Sequence, residues 1–147
     1  MVSATSNAVS RALDPTTQLY EAPSGPFGIP LFSEKGQALG PASTVSMALG
    51  LERMADMADY LGYEYIATMY RKQAAMSRAA IDRLFWNATN EYYAGTIGEA
   101  GYDSMDIAQV LLGQIGTEAH RKKFLDKLLP LKVPAGYIKW YPLRGHS

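Results

Sequence analysis

Met47-Ala48-Leu49-Gly50-Leu51-Glu52-Arg53-Met54-Ala55-Asp56-Met57-Ala58-Asp59-Tyr60-Leu61-Gly62 has the period of an amphipathic helix with its stop residue attached. Its apolar positions Met47, Leu51, Met54, Ala58 and Leu61 are spaced 4, 3, 4 and 3, which is one face of a helix. Ser43 and Thr44 stand where a hydroxyl can cap the first turn. Gly62 stands just past the end, where a left-handed residue stops a helix. A second helix is expected from about Tyr63 to about Trp86, with Ile66, Tyr70, Ala74, Ile81 and Phe85 as its buried stripe. Two helices joined this tightly form an antiparallel hairpin.

Downstream, Asn87-Ala88-Thr89-Asn90-Glu91 breaks the helix, and Glu91-Tyr92-Tyr93-Ala94-Gly95 is aromatic and extended in character. Gly95, Gly98 and Gly101 mark a loop. A third helix is expected from Ser104 to Ile115, ended by Gly116. Thr117 then caps a fourth, which carries Phe124, Leu125, Leu128 and Leu129 and stops before Pro130. Upstream, a short helix over Ser3–Leu13 is expected to end at Asp14-Pro15. The density of Pro and Gly from Pro23 to Pro30, with Gly36 and Gly40, reads as a long loop. The sequence therefore divides into an irregular segment 1–40, a helical-hairpin region 41–135 and a tail 136–147. The fold class is all-α: successive antiparallel helical hairpins with a short strand or hairpin between the helix pairs.

Composition narrows the chemistry. The chain has 147 residues, 48% hydrophobic and 19% charged, which suits one globular domain. Fourteen Lys and Arg balance fourteen Asp and Glu, so there is no basic footprint for nucleic acid. With no cysteine, disulfide, thiolate-metal and cysteine-nucleophile chemistry are excluded. No apolar run reaches the roughly 20 residues of a membrane span. The start, Met1-Val2-Ser3-Ala4, lacks the basic and apolar regions of a signal peptide. The only histidines, His120 and His146, are far apart, and His120 sits in the basic run His120-Arg121-Lys122-Lys123. Both read as solvated surface residues, so no metal site and no cofactor are expected. Neither a Gly-x-Ser-x-Gly elbow nor a phosphate-binding Gly-rich loop is present. The methionines recur at helical spacings and read as core packing. Asn87-Ala88-Thr89 is a glycosylation sequon.

One segment carries candidate chemistry. Glu99-Ala100-Gly101-Tyr102-Asp103-Ser104-Met105-Asp106 places carboxylates and a tyrosine in a Gly-rich loop that leads into a helix. Carboxylates held several ångströms apart serve glycoside hydrolysis, and Tyr and Trp faces are platforms for sugar rings. Tyr102, Asp103, Asp106 and Trp140 are therefore the candidate substrate-binding residues. The competing reading is helix capping, with Asp103 or Ser104 at the N-cap and Asp106 in the first turn.

The order of motifs is also informative. Gly36-Gln37-Ala38-Leu39 through Leu61-Gly62, then Ala80-Ile81-Asp82-Arg83-Leu84-Phe85-Trp86-Asn87-Ala88-Thr89-Asn90-Glu91-Tyr92-Tyr93, then Tyr102-Asp103-Ser104-Met105-Asp106-Ile107-Ala108-Gln109-Val110-Leu111-Leu112-Gly113, then Thr117-Glu118-Ala119 through Leu128, together resemble the catalytic domain of α-L-rhamnosidase-like glycosidases, glycoside hydrolase family 78. The resemblance covers about residues 14–135. It implies an (α/α)6 toroid of six hairpins and an inverting, two-carboxylate hydrolysis of terminal α-L-rhamnosides with no organic cofactor. The family is often secreted.

Six hairpins need about 280 residues, so this chain would supply two or so, as a partial toroid or truncated fragment. Pro26-Phe27 stands where the family commonly has Asp-Trp, and the downstream Trp-Glu segment is not matched. The catalytic acid and base are thus not identifiable, and the isolated chain is expected to be inactive. Asp106 falls where the family often has Asn. Bare helix faces are expected to drive self-association. The alternative function is a noncatalytic helical interaction module.

Overall fold

The computed structural model describes residues 13–20, 41–95, 97, 101–137 and 140–141. The expected helix over Ser3–Leu13, apart from Leu13 itself, lies outside them, as do the Pro- and Gly-rich loop and His146. Four α-helices dominate the described residues, accompanied by short antiparallel strand pairs.

Helix α1 (Ala42–Tyr60) and helix α2 (Glu64–Phe85) form the expected hairpin. Gly62 closes α1 at φ +80, its N–H donating to Asp59 O (3.0 Å) while Tyr63 N–H donates to Ala58 O (2.8 Å). This crossed pair satisfies the last carbonyls of the helix and turns the chain back. The start of α1 differs from expectation. Pro41 occupies the cap position, and no side chain caps it. The Thr44 hydroxyl instead accepts from the backbone N–H of Tyr20 at 2.9 Å, so it fixes an incoming segment, not the helix end. That segment is itself a tight turn, in which Leu13 bridges Tyr20 and the Asp14 carboxylate accepts from Thr16 N–H and the Thr17 hydroxyl. These bonds, the Thr17 hydroxyl first, hold the Asp14 carboxyl below its usual range.

The seam between the helices is narrower than the apolar stripes imply. Ala55, Ala58 and Ala67 form one layer, and Ala48, Leu51 and Ala74 with Tyr20 form the next. Met47, Met54, Ile66 and Tyr70 are only half-buried, and Leu61 is exposed. Short side chains let two helices approach closely, which pushes longer neighbours to the edges. The expectation that methionines pack the core is corrected by Met57, Met69 and Met76, which are exposed. At the far end of the hairpin, Arg78 on α2 grips both oxygens of Glu52 on α1 at 2.7 and 2.9 Å and donates to the Gly113 carbonyl.

Beyond α2, strand β1 (Trp86–Asn87) pairs antiparallel with β2 (Tyr92–Tyr93), Trp86 opposite Tyr93. Strand β3 (Tyr102–Asp103) leads directly into helix α3 (Ser104–Leu112). Helix α3 stops short of Ile115 because Gln114 and Gly116 adopt left-handed φ of 50 and 67. Helix α4 (Glu118–Asp126) is capped as expected, Thr117 Oγ1 accepting from His120 N–H at 3.1 Å. It ends before a single 3-10 turn (Leu129–Leu131) that contains Pro130. In the tail, strand β4 (Lys132–Val133) pairs with β5 (Gly136–Tyr137), and β6 (Trp140–Tyr141) returns to pair with β3. The main core gathers Ile81 and Phe85 of α2, Tyr93 of β2, Ile107 and Val110 of α3, Ile115, and Phe124 of α4.

Candidate functional site

The candidate residues from the Gly-rich loop and the tail meet on one strand pair. In the β3–β6 register, Tyr102 lies opposite Tyr141 and Asp103 opposite Trp140. Asp106 follows in the first turn of α3, the position in which a carboxylate complements the helix dipole. Asp103 immediately precedes that helix, so the capping role and the candidate-site role fall on the same short stretch. Asp106 is only 6% exposed. One of its oxygens lies 3.2 Å from where a β-carbon on Gly95 would stand. Gly95 therefore leaves room for the carboxylate, while its N–H donates to Gly101 O at 2.8 Å and draws the two ends of the loop together.

Aromatic rings back this strand pair. Tyr102 lies 4.9 Å from Tyr92 and 6.0 Å from Phe124, ring centre to ring centre. The Tyr92 hydroxyl accepts from Gly101 N–H at 3.2 Å. Tyr102 itself is buried, so its ring supports the wall from behind and does not present a face to solvent.

A second cluster was not legible in the sequence. Asp82 near the end of α2, Trp86 and Tyr93 of the β1–β2 pair, and His120 of α4 come together. The Tyr93 hydroxyl donates to Asp82 Oδ1, and His120 Nδ1 lies 3.2 Å from the same oxygen. An ionised carboxylate can only accept, so the imidazole donates through Nδ1 and, when neutral, keeps its lone pair on Nε2. His120 also stacks on Trp86, with centroids 3.8 Å apart and planes 12° from parallel. The solvated-histidine reading is thereby corrected: the side chain is 28% exposed and held on two sides. Burial, and then the bond to Asp82, push the Tyr93 phenol well above its usual pKa. It is a fixed donor and not a base. The basic run around His120 is likewise not a free solvated face, since Arg121 donates to the Gln114 and Gly116 carbonyls and Lys123 pairs with Glu91. Asp82 and His120 are far apart in sequence and belong to no spacing rule, so only the fold brings them together.

The cluster joins α2, the β1–β2 pair and α4. It provides an oriented imidazole beside an indole, and its hydroxyl, that of Tyr93, is committed as a donor to Asp82. Among the described residues no group of three or more His, Asp or Glu could hold a metal, and no helix is long and apolar enough to cross a membrane. No family model matches the chain, and no curated protein matches it significantly.

Proposed function

We propose that this chain is a helical-hairpin unit of a rhamnosidase-like (α/α)6 glycosidase, and that it contributes a sugar-binding wall and not the acid–base pair. The observation that carries this reading is the β3–β6 register. It places Asp103 opposite Trp140, while Tyr102 and Asp106, in the first turn of α3, are buried and serve as support. A carboxylate and an indole at paired register positions suit a rhamnosyl ring, because an acid accepts from sugar hydroxyls and an aromatic ring packs on the apolar sugar face. The catalytic acid and base are not identifiable in the matched motifs, so the unit is expected to bind without turning over.

Calorimetric titration of the chain with L-rhamnose and with p-nitrophenyl α-L-rhamnoside tests the reading. Saturable binding without release of nitrophenol is expected, and Asp103→Ala is expected to weaken it about tenfold, the cost of one charge-assisted hydrogen bond. Absence of saturable heat, or equal affinity in the Asp103→Ala chain, would overturn it.

The second reading is a noncatalytic interaction module, favoured by the exposure of large apolar residues along α2. It requires the chain to be a folded unit by itself. Cooperative urea unfolding without sugar is its test, and a broad, probe-dependent transition would reject it.

A further inference from the structure

The outward face of α2 is unusually apolar for a solvent-facing helix. Tyr65, Met69 and Met76 are 78%, 53% and 40% exposed, and the exposed Lys72, Ala79 and Arg83 complete the stripe. These six residues recur at spacings of 4, 3, 4, 3 and 4, so they lie in one row along the helix. The row faces away from α1, whose contacts use Ala67, Ala74 and Ile66.

The row is complementary to its own reverse. Tyr65 and Arg83 stand nine residues either side of Ala74, Met69 and Ala79 five, and Lys72 and Met76 two. Two copies of α2 laid antiparallel, with the two-fold axis at the level of Ala74, would therefore match each residue with a suitable opposite. The Arg83 guanidinium meets the Tyr65 ring, a cation–π contact. The Met69 side chain fills the space over Ala79, a large residue against a small one. The Lys72 stem lies along Met76 with its ammonium at the rim. The charges at the two ends agree. Glu64, beside Tyr65, would come within reach of Arg83 of the partner subunit, and among the described residues neither has an ion-pair partner in its own chain.

We infer that α2 is a homodimerisation face, on which a second copy of this chain packs antiparallel through the Tyr65–Arg83 row. A two-fold contact of this kind is isologous, so each end repeats the same Arg–Tyr pairing. A single helix row buries less than the roughly 1,200 Å² of a standard interface, so the dimer is a weak and concentration-dependent one. The inference rests on the interaction-module reading and gives that module its partner. The urea test of a folded unit and the sedimentation test below fail independently.

Sedimentation equilibrium over roughly 1 to 500 μM should give a reversible monomer–dimer isotherm, a range chosen for weak interfaces. Ala79→Glu, exposed and within a helix, should weaken dimerisation at least about tenfold, the effect of a desolvated carboxylate at a contact. Met57→Glu, on α1, should leave it unchanged. Glu64→Arg and Arg83→Glu should each weaken it, and combining the two should restore it. Register is read by disulfide trapping, because the chain has no cysteine of its own. A mixture of Lys72→Cys and Met76→Cys chains should form the mixed disulfide faster than either forms its own. A monomer throughout the range, dimers indifferent to Ala79→Glu, failure of the charge exchange, or preferential like-with-like disulfides would each overturn the proposal.

Discussion

At the scale of single residues, the Asp82–Tyr93–His120 cluster is held from below by Gly116. Its φ is +67, and a β-carbon there would land on the Tyr93 hydroxyl and the Asp82 carboxylate. Gly116→Ala therefore adds backbone strain to a steric clash with two hydrogen-bonded groups. A loss of at least about 2 kcal/mol is expected in urea unfolding, in line with backbone strain and overpacking costs. A change below about half that would mean the loop relaxes freely. Tyr93 makes a prediction of opposite character, on the alkaline side. Its phenol is held protonated in the fold by burial and by the Asp82 bond, whereas the unfolded chain ionises near the ordinary tyrosine value of 10.0. A raised native pKa means the contribution is intact below that pH and is lost as pH rises through it, because only the unfolded state then releases a proton. Tyr20, raised by burial alone, adds in the same direction. Stability measured at pH 8 and again above pH 10 should fall steeply in the native chain and less steeply in Tyr93→Phe. Equal slopes would assign the effect elsewhere.

At the scale of elements, the α1–α2 hairpin depends on small residues. Ala55, Ala58 and Ala67 leave no space at the tip layer of the seam. Ala67→Leu should destabilise by about 1–3 kcal/mol through overpacking, although leucine is a good helix former. A neutral effect would show that the helices can separate at the tip without loss. The same seam explains which parts of the sequence were readable. The helical period, the Gly62 stop and the Thr117 cap are local signals, and each appears where the residues place it. Which apolar residues are buried is not local. Alanine carries little weight in a periodicity argument, yet here it sets the distance between the helices, and the methionines beside it are displaced to the surface. Thr44 has the same lesson in miniature: a hydroxyl near a helix start reads as a cap until a remote N–H, that of Tyr20, claims it. For the candidate site, the loop from Gly101 to Asp106 was legible as a carboxylate-rich helix entry. The antiparallel return of Trp140 to Asp103 was not, because two-residue strands carry no pattern of their own.

At the scale of the whole molecule, Asp82 and Arg78 of α2 both reach the second helical pair, and Arg78 also ties together the two helices of the first hairpin. It holds Glu52 of α1 through both carboxylate oxygens and reaches the Gly113 carbonyl, which lies just beyond the end of α3. Gly113 is packed against Val45 of α1, so the arginine reinforces an apolar contact at the same place. One side chain thereby spans the first hairpin and the second helical pair. The Arg78 and Glu52 side chains are 25% and 36% exposed, so solvent screens their attraction and the ion pair alone is worth no more than about 1 kcal/mol. The bond to the Gly113 carbonyl adds a contribution of similar size. Arg78→Met keeps the aliphatic stem while removing both interactions, and should lower stability by about 1–2 kcal/mol. The distribution of that loss is the more telling quantity. If Arg78 couples the halves, hydrogen exchange in Arg78→Met should quicken in α3 and α4 more than in the α1–α2 seam, whose alanine packing does not involve the guanidinium. Uniform acceleration across all four helices would mean that the molecule opens only as one unit. The coupling would then reside in the shared core of Ile81, Phe85, Val110 and Phe124 and not in the clamp.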